Sequence, residues 1–387
     1  MVDLLGRGVP NVPVIIGTQQ TATDSNGAFS IPAVAATYTA ATVAPNGVGY
    51  VYVDLTRRDP RIQIRSVVGT PFTANVSGHA PNLNAGSNKT HYAMFTGPNG
   101  WSDIDINSFG LGTTWSLKPN WFDSTTINGY VHLLQKTLDS NDKLVSFSNY
   151  GRLAVTLTSN GTLTQQPVSV SNPPEKHVTG TVNLPAGYTL ASKHLDVNFG
   201  ELSSWTLETD SSNATTFDFL TFDVGSQIAG FTLFVNATGS DGSALQISPV
   251  GAQQNVTIGL EAPPSPITPV AGGTGVDTTT TFTFAEMKSS VSVVHFIPQT
   301  SGQPNIYVIT GDTKAQIPDL SSVGLSLPKG ASYKWQILGM GGFTDSDSTT
   351  GSDGVFDVAE YNVSRLKRLG TWRNYGIASS RAFTTAN

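Results

Sequence analysis

The chain has 387 residues, 38% of them apolar and 12% charged, about half the usual charged share, with no cysteine and a net charge of −6. That composition excludes a disordered chain, a disulfide framework, cysteine-held metal sites and a cysteine nucleophile. The charge forms no long basic or acidic run and no apolar stretch nears the ~20 residues of a membrane helix, so neither nucleic acid nor a membrane span is indicated. Thr, Ser and Asn recur in almost every block, which suits an extended β protein outside the cell.

The opening Met-Val-Asp-Leu-Leu-Gly-Arg-Gly lacks the basic start and apolar core of a signal peptide, so none is visible in this numbering. Val12–Ile16 and Ala28–Ile31 read as strands with Asp24-Ser25-Asn26-Gly27 between them. Asn-Gly is the pair that best tolerates a tight hairpin turn. Asp24 is expected to accept backbone hydrogen bonds in an Asx-type corner, so the cluster reads as a turn rather than a ligand loop. Tyr38–Val43 and Gly49–Leu55 supply further strands. On "VDLLGRGVPNVPVIIG", "TATDSNGAFSIPAV" and "TYTA", residues 1–66 resemble a bacterial carboxypeptidase-regulatory-like domain, a small transthyretin-like β-sandwich. That resemblance implies scaffold without a peptidase site. The family's opening Gly-x-Val has no counterpart before Val2, so a clipped first strand is expected. Such a gap leaves a sheet edge that another chain can complete.

Residues 67–173 and 174–263 read as two related β-sandwiches. "NVSGHAPN" (75–82) echoes "HVTGTVNLPAG" (177–187), "INGYVHLLQ" (127–135) echoes "IAGFTLFVN" (228–236), and "TQQPVSVSNPPE" (164–175) echoes "AQQNVTIGLEAPP" (252–264). The pairs Pro173-Pro174 and Pro263-Pro264 predict stiff, extended connectors. Asn160-Gly161, between two alternating runs, predicts a second hairpin.

Residues 264–387 carry five more strand-like runs, among them "SVSVVHFIPQ", "ASYKWQILGMG" and "SSRAFTT". On "YKWQILG" and "SSRAFTT" the segment resembles a fibronectin-type-III-like domain, an immunoglobulin-like sandwich, with an insertion near 341–376. The one short helical candidate is 358–369.

Asp345, Asp347, Asp353 and Asp357 place hard oxygen ligands on a Gly-containing loop, which makes it a candidate calcium site. The spacing departs from the EF-hand, where a Gly would replace Thr350. Asp103, Asp105 and Asn107 alternate as one face of a strand would. Trp101, Trp115 and Trp121, beside Asn and Asp, are candidates to stack on a polysaccharide, against the plainer expectation that they fill a core. Basic residues concentrate in 365–376. The six histidines form no metal-binding spacing and no nucleophile elbow or phosphate loop is present, so no catalytic residue and no cofactor is expected.

The expectation is therefore an all-β string of tandem antiparallel sandwiches, immunoglobulin-like and transthyretin-like. Its function is expected to be non-enzymatic, a bacterial surface stalk or fibre subunit that pairs with itself or with other surface proteins. The alternative is a carbohydrate-binding accessory protein using exposed aromatics.

Overall fold

A computed structural model describes residues 1–3, 5–32, 34–64, 69–83, 86, 88–107, 113–141, 143–200, 202–288, 290–351 and 373–387. The protein is all-β. Among the described residues no α-helix occurs, only three short 3₁₀ turns.

The first segment contributes β1 (Pro13–Ile16), β2 (Gln19–Ala22), β3 (Tyr38–Val43) and β4 (Val48–Leu55), paired in the order β2-β1-β3-β4. The tight turn here is Gly17-Thr18, where Gly17 takes φ +60, a region open to glycine at little cost. Asp24–Gly27 is a turn of another kind. Asp24 Oδ1 accepts the N–H groups of Asn26 and Ala28 at 2.8 and 2.9 Å, the expected Asx corner. Residues 28–31 are not a strand. Phe29 and Ile31 instead pack on the core as part of a loop, because β1 already has β2 and β3 on its two edges.

The described backbone among residues 1–10 pairs within its own segment. Val2 bridges Gly8 and Gln63, and the Met1 amino group donates to Gly27 O. An open first-strand edge, expected above, is therefore not seen.

The second segment runs β5 (Phe72–Thr73), β6 (Asn75–His79), β7 (Lys89–Gly97), β8 (Gly100–Trp101), β9 (Asp105–Asn107), β10 (Thr114–Leu117), β11 (Asn120–Trp121), β12 (Thr126–Leu138), β13 (Leu144–Thr158) and β14 (Thr162–Pro167). Its larger sheet has the order β13-β12-β7-β8-β11-β5, and β10-β6-β14 faces it across a core containing Phe95, Trp115, Trp121, Val131 and Leu133. Asn160-Gly161 joins β13 to β14 without making a hairpin. Asn160 N–H donates to Thr73 O and Asn75 N–H to Gly161 O, so the start of the segment captures the turn and β14 crosses to the other sheet.

The third segment runs β15 (Glu175–Asn183), β16 (Thr189–Gly200), β17 (Ser203–Asp210), β18 (Thr216–Phe222), β19 (Gly230–Gly239), β20 (Gly242–Val250) and β21 (Gln254–Gly259). It repeats the topology of the second. β6 lies antiparallel to β10 and parallel to β14, as β15 does to β18 and β21. The echo reaches single residues. Gly78 pairs with Trp115 and Gln166, and Gly180 with Phe217 and Val256. A Cβ on Gly78 would lie 1.9 Å from Gln166 O, and one on Gly180 2.1 Å from Val256 O. Glycine is required at both because the parallel closing strand passes where a side chain would stand.

The fourth segment runs β22 (Ser265–Thr268), β23 (Gly273–Val276), β24 (Thr281–Ala285), β25 (Ser290–Pro298), β26 (Asn305–Thr310), β27 (Lys314–Gln316), β28 (Ser332–Gly341), β29 (Arg373–Ala378) and β30 (Arg381–Thr385). The sheet β22-β24-β27 faces β26-β25-β28-β30 across Phe282, Phe296, Trp335 and Phe383.

These segments do not hang as a string. β26 pairs parallel with β4, Asn305 with Val48 through Ile309 with Tyr52, and β20 pairs antiparallel with β29. One sheet thus runs β17-β16-β19-β20-β29-β28-β25-β26-β4-β3-β1-β2. Pro263 and Pro264 are buried against Gly376 and Gly339 rather than exposed as a spacer. A single hydrophobic cluster accordingly draws on Tyr50 and Tyr52, Phe234 and Ile247, and Val293 and Met340.

Candidate functional site

Two polar side chains with strongly perturbed environments lie at a joint between segments. β12 shows why. Its burial alternates over 126–131 and is then continuous to Lys136, because that half of the strand has a core on both faces. Val131 and Leu133 face the second segment's own core, while Leu134 packs with Phe147, Tyr150 and the third segment's Phe222. Two polar groups on this strand are buried in the joint with those residues.

His132 is 2% exposed. Its Nδ1 lies 2.9 Å from Tyr150 Oη, whose hydroxyl donates to Gln227 O, and its Nε2 lies 3.1 Å from Thr96 Oγ1. With the tyrosine proton committed to Gln227, His132 Nδ1 donates to Tyr150, and the Thr96 hydroxyl is placed to donate to Nε2 of a neutral ring. Burial, helped by the nearby Arg152 guanidinium, pushes its pKa down to about 3. Lys136 Nζ donates to Leu207 O at 2.6 Å and stands 3.9 Å from the Trp205 ring centroid and 5.4 Å from that of Tyr92. Burial pushes it down to about 7, against the pull of Glu208.

Within the third segment the fully buried Lys193 donates to Ser212 O and Ala214 O and pairs with Asp210 at 3.0 Å, holding the β17–β18 turn. Other joints use charge and ring contacts. Arg7 pairs with Asp3 at 2.7 Å and places its guanidinium 4.0 Å above Phe122, which ties the first segment to the second. Between first and fourth, Tyr50 stacks on Tyr307 at 5.6 Å and His295 on Tyr307 at 4.0 Å.

The residues singled out from sequence fall as follows. Asp347 accepts the N–H groups of Thr56 and Arg57 at 2.9 and 3.1 Å, and the Thr56 hydroxyl as well, so it clasps the first segment. These hydrogen bonds hold its carboxyl below the usual range against the cost of partial burial. Asp345 caps its own turn by accepting Ser348 N–H at 2.7 Å. Asp353, Asp357, the helical candidate and most of the basic run lie outside the described residues. Among the described residues no three His, Asp or Glu side chains gather as a metal set.

Trp115 and Trp121 are 2% and 0% exposed. They fill the core between the two sheets of the second segment, and Trp121 Nε1 donates to Ser124 O, so neither offers a face to a sugar. Trp101 is half-buried and stacked on Phe122. The three indoles do not form a platform. Asp103 lies between β8 and β9, and Asp105 accepts Ser116 N–H at 2.6 Å, so these two aspartates do not share one strand.

His132 and Lys136 were missed from sequence. Their signal was a polar residue recurring inside the otherwise apolar "YVHLLQK", which marks a strand buried on both sides.

No protein-family model matches the chain, and no curated protein matches it. Solved structures resemble it distantly. A fimbrial assembly protein from Parabacteroides distasonis covers 56% of this chain and 97% of its own, at 10% identity and a TM-score of 0.18. A leucine-rich repeat protein from Bacteroides thetaiotaomicron covers 50% of this chain and 27% of its own, at 11% identity and 0.16. The tetra-tandem repeat in the extending region of a large adhesion protein covers 87% and 90%, at 13% identity and 0.13. Scores this far below 0.5 carry no argument about role.

Proposed function

We propose that the protein is a non-enzymatic structural or adhesive component of a bacterial cell surface, built of β-sandwiches and assembling with itself or with other surface proteins. The observation that carries this reading is where the buried and half-buried polar groups make their hydrogen bonds. His132, Lys136, Lys193 and Asp347 each tie strands or segments together through hydrogen bonds, rather than converging on a cleft as reactive groups do. Material built for cohesion is what a fibre or adhesive subunit needs. The reading does not rest on the neighbours' names.

The family resemblances belong to the same proposal. For residues 264–387 it is supported by β22-β24-β27 facing β26-β25-β28-β30, the layering of an immunoglobulin-like sandwich. Strand complementation in this reading uses an edge other than residues 1–10. β2 and β17 end the long sheet, and the residues of β2 are mostly exposed.

Light scattering of the purified chain over a concentration series, with calcium and with chelator, tests assembly. Growth into large species is the expected result, and a monomer at every concentration under both conditions defeats the fibre reading. Growth only with calcium would give the 345–357 loop a role in assembly.

A further inference from the structure

The sheet face that carries His132 into the joint continues past it into the open. There Tyr130 is 41% exposed, one of the few large side chains so placed among the described residues. The Arg152 guanidinium lies 4.2 Å from the centre of its ring and also donates to Gln227 O at 3.3 Å, which anchors it to the third segment. One face of the ring is therefore covered by the guanidinium, which leaves the other for a ligand.

Beside Tyr130 is a hollow of about 650 Å³, within the size range of small-molecule sites. Its lining includes Gly97, Gly129 and Gly200, so backbone and not bulk shapes much of the wall. Gly129 cannot carry a side chain, because a Cβ there would meet Thr96 O at 2.4 Å. The polar groups in the lining are neutral. Asn128 Oδ1 accepts the Thr156 hydroxyl at 2.7 Å, which leaves the Asn128 NH2 to donate. Asn99 donates to Asp123 Oδ2 at 2.7 Å, which leaves its carbonyl to accept.

We propose that this hollow binds a neutral carbohydrate, with a sugar ring stacked on Tyr130 and its hydroxyls bridging Asn128 and Asn99. No charged side chain lines the hollow itself, and the nearby Arg152 guanidinium is engaged by Gln227 O and the Tyr130 ring. An aromatic ring flanked by an amide donor and an amide acceptor matches a ring that is apolar on its faces and hydroxylated at its rim. The site is separate from the tryptophans considered from sequence, and it does not depend on self-assembly.

Native electrophoresis in gels cast with amylose, hydroxyethylcellulose, galactomannan or xylan, with polygalacturonate as the charged control, tests it. Retardation by at least one neutral polymer is expected. Tyr130→Ala should weaken it about tenfold or more, Asn128→Ala should weaken it less, and Tyr130→Trp should retain it. Migration unchanged in every neutral gel overturns the proposal and would leave a peptide or a second copy of the chain as the occupant. Retardation that survives Tyr130→Ala, or that polygalacturonate alone produces, overturns it too. Light scattering of Tyr130→Ala separates the two readings, since assembly should be unchanged.

Discussion

At the scale of the residue, His132 makes stability depend on acid. Its folded pKa, about 3, lies below the value near 6.5 of an unfolded chain. Above pH 6.5 both states are neutral and nothing is lost. As pH falls from 6.5 to 3 the unfolded chain takes a proton that the folded one refuses, so unfolding is favoured by an amount on the order of 4 kcal/mol at the lower end. Urea titrations at pH 7.5, 5 and 3.5 should show this decline, and His132→Gln should flatten it by up to one proton. Identical slopes for the two proteins would count against the buried neutral ring. Lys136 acts in the opposite range. Its depressed pKa means the cost of holding a buried ammonium is fully present below pH 7 and is relieved as pH rises toward 10.5.

At the scale of the element, the two glycines of the repeat make the sharpest forecast. Gly180→Ala must displace either β21 or the Phe217 ring, because the new Cβ would stand 2.1 Å from Val256 O and 2.6 Å from the ring edge. A loss of roughly 2–3 kcal/mol is expected, read as a lower denaturation midpoint, with Gly78→Ala behaving alike. Little or no change in either would mean that the parallel closure is looser than described.

Strand identity was largely legible in sequence here. Runs such as Phe217–Phe222 and Ser290–Pro298 alternate or cluster their apolar residues as strands do, and they are strands. Which edge a strand uses was not legible. Side-chain alternation reports faces, whereas pairing runs through backbone groups common to all residues. Asn160-Gly161 shows the limit, since the same two residues serve a hairpin or a crossover and a backbone contact to Thr73 decides between them. The tryptophans show another. Their spacing says nothing about which side of a strand meets the core, and among the described residues of that segment the large exposed ring is Tyr130.

At the scale of the whole molecule, the joints close into a cycle. Arg7 links the first segment to the second, the β12 face links the second to the third, β20·β29 the third to the fourth, and β26·β4 the fourth back to the first. A string of independent sandwiches would melt in several steps at several temperatures. This arrangement should melt as fewer units than it has sandwiches, with the first and fourth segments in one transition. Scanning calorimetry of wild type and of Val308→Pro, which inserts an imino acid into β26 between β4 and β25, checks it. The variant should split or lower that transition and leave the signal of the middle sandwiches in place. Separate transitions for residues 1–66 and 264–387 in the wild type would contradict the shared sheet.

The β4·β26 ladder also sets an order in time. Val48 finds its partner only when Asn305 has been made, and the intervening chain takes on the order of ten seconds or more to synthesise. Throughout that interval β4 has β3 on one side and nothing of its own chain on the other, with Tyr50, Val51 and Tyr52 along the vacant edge. β4 is thus made well before the strand that completes it. Nascent chains crowded on one messenger present one another with matching unpaired β4 edges, a route to mispairing that stays open until β26 emerges.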